Sequence, residues 1–122
     1  MTAGSVAFVN EVAALSPTLT ALLREHVNDN FGDVLPHVFI GDVARHIVTM
    51  VRVPSSEDNP AVLCEVKRIL DVMEAGYAAG MPEVQELIAA SFLENLPLQE
   101  DSGSQIRRML GPNLTNKLNK MA

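Results

Sequence analysis

Two of the three histidines in this 122-residue chain lie in one short stretch, VLPHVFIGDVARHI, which covers residues 34–47. Imidazole and carboxylate groups bind divalent metals, and Asp42 and His46 are four residues apart, a spacing that places both on one face of a helix. With His37 as a third ligand from the preceding loop, these residues would form a metal site, and a small metal-dependent hydrolase is one hypothesis. The stretch lacks an HExxH motif and a cysteine pair, so this hypothesis rests on residue types alone.

A structural interpretation explains the same stretch without a ligand. Pro36 and Gly41 are poor residues for a helix interior, so we predict that VLPHV is a non-helical connector and that a helix begins near Gly41. Phe39 and Ile40 are then expected in the core. Asp42 would lie at the amino end of this helix, where the helix dipole favours a carboxylate.

The predicted helix has an apolar and a polar face. Its apolar face carries Val43, Ile47 and Met50. Its polar face carries Asp42, Arg45, Thr49 and Arg52. Arg45 follows Asp42 by three residues and is its expected ion-pair partner. His37 and His46 are expected as hydrogen-bonded residues at the edge of the core, and a partner-binding role for the polar face is the remaining alternative.

No other pattern in the chain predicts catalysis. The seven glycines form no phosphate-binding loop, and the single cysteine, Cys64, is expected at the core or its boundary on a long helix. The sequence therefore predicts neither an enzyme nor a cofactor. A single cysteine forms no intramolecular disulfide, and we find no secretory signal and no apolar run of about 18 residues, so we expect a cytoplasmic protein without a membrane span.

Charge is unevenly distributed along the chain, whose net charge is −6. Residues 1–104 contain all fifteen acidic residues and five basic ones, whereas residues 105–122 contain four basic residues and no acid. Aromatic residues for base stacking are also scarce. An acidic body repels nucleic acid and attracts basic protein surfaces, so the sequence disfavours nucleic-acid binding and favours a basic protein partner.

Helix signals recur at short intervals along the chain. Ser16–Pro17 and Asn59–Pro60 each pair a capping residue with a proline at the first helical position, and Pro82 opens a further helix. The helix after Pro17 is expected to end at NDNFGD, residues 28–33. The helix after Pro60 is expected to end near Gly80 and to pack antiparallel to the next one. The apolar side of that next helix is expected to carry Val84, Leu87, Ile88, Phe92 and Leu96. Other helices are expected near residues 5–14, 41–52, 103–110 and 112–121. The sequence thus predicts an all-α fold, a compact single-domain bundle of about five to seven helices spanning residues 1–122.

Four segments resemble a known family when taken in order. LPHVFIGDVAR, VMEAGY, VQELIAASFLENL and LGPNL resemble segments of a family of short, uncharacterised bacterial helical proteins with LPHxFxGD, SFxExL and LGP motifs. The resemblance covers most of the chain, from about Phe8 to Leu118. Members of this family look like the small proteins that accompany bacterial polymorphic toxins. The resemblance implies an immunity protein that neutralises a cognate toxin by binding it.

We therefore expect a binding protein without catalytic activity, whose partner is a toxin domain with a basic surface. The residues expected to bind the partner are polar ones around the histidine-containing stretch and a later loop: Asp33, His37, Asp42, Arg45, His46, Glu94, Glu100 and Asp101. The metal-dependent hydrolase built on His37, Asp42 and His46 and a homo-oligomeric helical scaffold, such as a homodimer, are the alternatives.

Overall fold

A computed structural model describes residues 3–52, 60–96 and 105–121 of the chain. The described residues form helices and no strand, which confirms the predicted all-α bundle. The helices are α1 (Ala3–Ala13), α2 (Pro17–Asp29), α3 (Pro36–Arg52), α4 (Pro60–Ala78), α5 (Pro82–Leu87), α6 (Gln105–Met109) and α7 (Pro112–Met121). After α5 the chain continues as a π-helical segment, Ile88–Phe92, and a 3₁₀ turn, Leu93–Asn95.

Proline occupies the first position of five of these helices: Pro17, Pro36, Pro60, Pro82 and Pro112. A proline at this position costs nothing in hydrogen bonding, because the first N–H groups of a helix have no intrahelical acceptor, and its fixed φ is already helical. The predicted cap before α2 is confirmed, since the Ser16 hydroxyl accepts the backbone N–H of Leu19 at 3.1 Å. Prolines therefore define where most helices of this fold begin.

The predicted start of α3 near Gly41 is wrong. The helix begins at Pro36, so only Val34 and Leu35 of VLPHV form a connector, its last three residues are helical, and Gly41 lies in the helix interior. The error came from counting Pro36 as a helix breaker, although at the first position proline favours a helix. Asp42 consequently lies in the second turn, where the helix dipole acts on it more weakly. Phe39 and Ile40 are fully buried, as expected.

Helix α3 lies at the centre of the bundle. It packs against α1, α2, α4, α5 and α6, and most extensively against the π-helical segment. Its buried side chains include Phe39, Ile40, Val43 and Ile47. The core around these side chains is mainly aliphatic, as the composition predicts. Most of the other helices pack against α3.

The hairpin of α4 and α5 follows the sequence prediction closely. Helix α4 ends at Ala78, and Gly80 adopts a left-handed conformation with φ of 85°. The predicted apolar stripe of the next helix is buried along its whole length: Val84, Leu87, Ile88, Phe92 and Leu96. The change from α to π geometry at Ile88 was not predicted, because helical periodicity alone does not register one inserted residue.

Glu74 of α4 caps the amino end of α7 across the bundle. Its carboxylate oxygens accept the backbone N–H groups of Asn113 and Leu114 at 3.1 and 3.0 Å. A Cβ atom at Gly111 would lie 2.6 Å from this carboxyl group. The sequence LGPNL thus combines a glycine that admits Glu74, a proline at the first helical position and two N–H donors, which ties α7 to α4.

Substituting alanine for each of two helix glycines should change the stability of the fold in opposite directions. In Gly41→Ala the atoms nearest to the new Cβ belong to the side chains of Arg45 and Asn95 and lie 3.5 Å away or more, so higher helix propensity should stabilise the fold by about 1 kcal/mol. In Gly76→Ala the Cβ would lie 2.5 Å from the ring of Phe8, and forced movement of that buried ring should destabilise the fold by about 1–3 kcal/mol.

Urea unfolding of both variants tests this pair. A Gly41→Ala variant less stable than the wild type would contradict the placement of Gly41 inside α3. A Gly76→Ala variant as stable as the wild type would contradict the packing of Phe8 on α4.

Candidate functional site

The loop between α2 and α3 is fixed by His26, for which the sequence pattern predicts no role. His26 of α2 is buried, and its Nε2 accepts the backbone N–H of Leu35 at 3.0 Å. Its ring also packs against Phe39, with ring centroids 5.8 Å apart. His26 therefore holds the residue that precedes α3 against the end of α2.

The carboxyl end of α2 forms a Schellman motif with an unusual residue in it. The N–H of Gly32 donates to the carbonyl of Val27 at 2.9 Å, the hydrogen bond that defines the motif. Asn30 is the C-cap residue, so the next position, normally a glycine in left-handed conformation, is occupied by Phe31. Phe31 has a φ of 57°. A left-handed conformation costs an L-residue with a Cβ roughly 1–2 kcal/mol.

The cost of this left-handed backbone is not offset by burial of the Phe31 side chain among the described residues. Its side chain is 97% exposed, and two further apolar side chains nearby in sequence, Leu35 and Val38, are 37% and 47% exposed. A strained backbone under a fully exposed aromatic side chain is an arrangement that folding alone does not favour. We call the surface of Phe31, Leu35 and Val38, together with the acidic pocket described next, the α2–α3 corner.

An acidic pocket of about 390 Å³ lies between α2 and α3. It is lined by Leu22, Glu25, His26, Asp29, Asn30, Val38 and Asp42, and among these described residues none is a lysine or an arginine. Glu25 and Asp29 lie four residues apart on α2, a spacing at which like charges repel. Three carboxylates at one pocket favour a cationic group as its occupant.

Two of the predicted partner-binding residues lie at or beside the α2–α3 corner. Asp42 lines the pocket and forms the expected ion pair with Arg45, whose side chain is exposed. Asp33 is exposed in the loop that follows Phe31. The expected polar face of α3 is confirmed for Asp42, Arg45 and Thr49, whereas the side chain of Arg52 lies outside the described part of the structure.

His37 and His46 do not form a common site. They are nine residues apart in one helix, two and a half turns at about 3.6 residues per turn, so they lie on opposite sides of α3. His37 Nδ1 lies 2.6 Å from the Ser91 hydroxyl of the π-helical segment, and His46 Nε2 is buried without a hydrogen-bond partner among the described residues. No three metal-ligating side chains converge within the described residues, and the geometry does not favour the ligand set of His37, Asp42 and His46.

The remaining predicted residues lie elsewhere. Glu94 lines a separate shallow pocket that also contains Tyr77 and Lys117. Glu100 and Asp101 are outside the described residues. The structure thus places the predicted partner-binding residues at separate locations. It also reveals one further candidate binding residue, Phe31. The sequence NDNFGD marked the end of α2, but it gave no sign that Phe31 and not Gly32 would take the first left-handed position.

Comparison with known proteins identifies the family of this chain, but it does not identify an activity. A family described as "Domain of unknown function (DUF7674)" matches residues 9–121. The chain belongs to this family. No curated protein and no solved structure is significantly similar to it. No helix in the described part of this DUF7674 chain is long and apolar enough to cross a membrane.

The four segments used for the family resemblance contact one another in pairs. His37 of LPHVFIGDVAR bonds to Ser91 of VQELIAASFLENL, and Glu74 of VMEAGY caps the helix that begins in LGPNL. These side chains hold one helix of the DUF7674 fold against another. The positions of His37 and Glu74 are therefore explained by a role in folding. The α2–α3 corner is the site that folding does not explain.

The structure predicts that the histidine-containing stretch matters mainly through its apolar residues. Phe39→Ala should lower the free energy of unfolding by about 3–5 kcal/mol, because it empties a fully buried site. Asp42→Ala should lower it by less than about 0.5 kcal/mol, because an exposed i,i+3 ion pair contributes little. Thermal and urea unfolding give both values, and an Asp42→Ala variant that unfolds would contradict this assignment.

Proposed function

We propose that the chain is a protein-binding domain without catalytic activity and that it contacts its partner through the α2–α3 corner. The observation that carries the proposal is Phe31, a fully exposed aromatic side chain on a strained backbone. Aromatic residues provide a large share of the binding energy at protein interfaces, where they fill pockets of the partner. Burying a phenylalanine side chain contributes about 1.5–3 kcal/mol.

The charge of the α2–α3 corner defines the chemistry of the partner. Glu25, Asp29 and Asp42 line the pocket, and Asp33 is exposed close to Phe31 in the chain. A lysine or arginine of the partner that enters this pocket would relieve the repulsion between Glu25 and Asp29. We therefore propose a partner whose surface places a basic side chain next to an apolar depression.

A toxin domain with a basic surface is the specific partner that we propose, in keeping with the resemblance to immunity proteins. Occlusion by a small acidic domain requires no chemistry from the chain, only a preformed surface and fast association. Acidic residues around an apolar anchor provide both, because opposite charges accelerate encounter while the anchor slows dissociation. The fixed α2–α3 loop, held by His26, supplies the preformed surface.

The proposal predicts that a toxin gene lies beside this one, and co-expression of the chain with the encoded toxin domain tests it. The wild-type chain should rescue growth and elute with the toxin domain on gel filtration. Phe31→Ala should weaken the complex by about 10- to 100-fold, the equivalent of losing the burial of one phenylalanine. Asp29→Lys should weaken it as well, because it places a positive charge at the acidic pocket.

Matched controls use exposed residues outside the α2–α3 corner. Met81→Ala removes another exposed apolar side chain, and Glu11→Lys reverses another exposed acid on α1. Both should bind like the wild type. Failure of the wild-type chain to rescue growth and to form a complex would refute the immunity role, and a Phe31→Ala variant with unchanged affinity would refute the proposed surface.

A further inference from the structure

A second concave surface, with the opposite charge, lies between α4 and α6. This α4–α6 cleft has a volume of about 750 Å³ and is lined by Leu63, Cys64, Lys67, Arg68, Asp71, Arg108 and Met109. Its volume falls within the range of about 300–1,000 Å³ that is typical of small-molecule sites. None of these residues belongs to the α2–α3 corner, so the cleft is separate from the proposed protein-binding surface.

The described lining of the α4–α6 cleft is cationic, although the chain as a whole has a net charge of −6. Of the seven described residues that line it, three are basic and one is acidic. This acid, Asp71, already accepts a hydrogen bond from Lys67 Nζ at 2.9 Å. The guanidinium groups of Arg68 and Arg108, one from each wall, therefore give the cleft an excess of positive charge.

The rest of the lining is apolar. Leu63, Cys64 and Met109 contribute apolar atoms, and the long side chains of lysine and arginine add their methylene groups while their charged ends remain in water. Methionine adapts its shape to irregular apolar ligands. A cleft lined by apolar atoms and by two guanidinium groups matches a molecule that has an alkyl chain and one anionic head.

We propose that the α4–α6 cleft binds a free long-chain carboxylate. The alkyl chain lies on Leu63 and Met109, and the carboxylate accepts hydrogen bonds from Arg68 and Arg108. Guanidinium groups pair with carboxylates through two parallel N–H donors, which gives the head group both charge neutralisation and orientation.

Chemical labelling of a cysteine in the cleft can measure ligand binding to this site. Cys64, expected at the core or its boundary, is exposed in the cleft and is the only cysteine of the chain. The rate at which folded protein reacts with uncharged N-ethylmaleimide therefore reports access to the cleft alone. Decanoate below its micelle concentration should slow this reaction saturably, by about tenfold at ten times its dissociation constant. Decyltrimethylammonium, with the same chain and the opposite charge, should leave the rate unchanged.

Charge reversals distinguish the cleft from non-specific association. In Arg68→Glu and Arg108→Glu, compared with and without ligand, the concentration of decanoate needed for half-protection should rise at least tenfold. Arg24→Glu, an exposed position on α2 away from the cleft, should behave like the wild type, and circular dichroism should show that all variants remain folded.

Three results would each overturn the proposal. The first is unchanged labelling at every decanoate concentration tested. The second is equal protection by decanol, which would show that the cleft recognises the alkyl chain without the anion. The third is a labelling rate of ligand-free protein that falls as protein concentration rises, which would show that a second copy of the chain covers the cleft.

Discussion

The hydrogen bond from the backbone N–H of Leu35 to the imidazole of His26 holds the residue that precedes the central helix against the end of α2. Residue 35 precedes Pro36, and a residue before proline is restricted to extended backbone, so its N–H cannot join the helix and needs another acceptor. His26 supplies that acceptor from the last turns of α2 and packs on Phe39 at the same time. This one side chain therefore links the end of α2 both to the residue before α3 and to the buried ring of Phe39 in α3.

Local sequence signals were sufficient for most of the fold. The prolines at the first positions of α2, α4 and α5, the Ser16 cap and the apolar residues that follow Pro82 are local signals, and each was predicted correctly. The start of α3 was not, because Pro36 is a breaker inside a helix but a favourable residue at its first position, and helical spacing alone does not distinguish these two roles. The cap that Glu74 provides for α7 joins residues about 40 positions apart and has no local signal either.

The candidate site was predicted only in part, for a related reason. Residue types drew attention to His37, Asp42 and His46, yet α3 begins one and a half turns earlier than expected and carries the two histidines on opposite sides. His37 is used to join α3 to the π-helical segment through Ser91. Acidic side chains lie at this end of α3, as the sequence predicts, but the sequence predicts only that the NDNFGD segment ends α2. The left-handed conformation of Phe31 depends on which residue of that segment the Schellman hydrogen bond selects, and composition does not reveal this.

The central claim is that Phe31 is retained for binding at a cost to folding, and the free energy of unfolding of Phe31→Gly tests it most directly. Glycine adopts the left-handed conformation without strain, and the exposed ring makes no contribution to the core, so the account predicts a variant more stable than the wild type by about 1 kcal/mol, with its circular dichroism spectrum unchanged. Urea unfolding monitored by circular dichroism provides the value. A Phe31→Gly variant that is less stable than the wild type by 1 kcal/mol or more, on the order of a buried contact, would show that the ring supports the fold and would contradict the account.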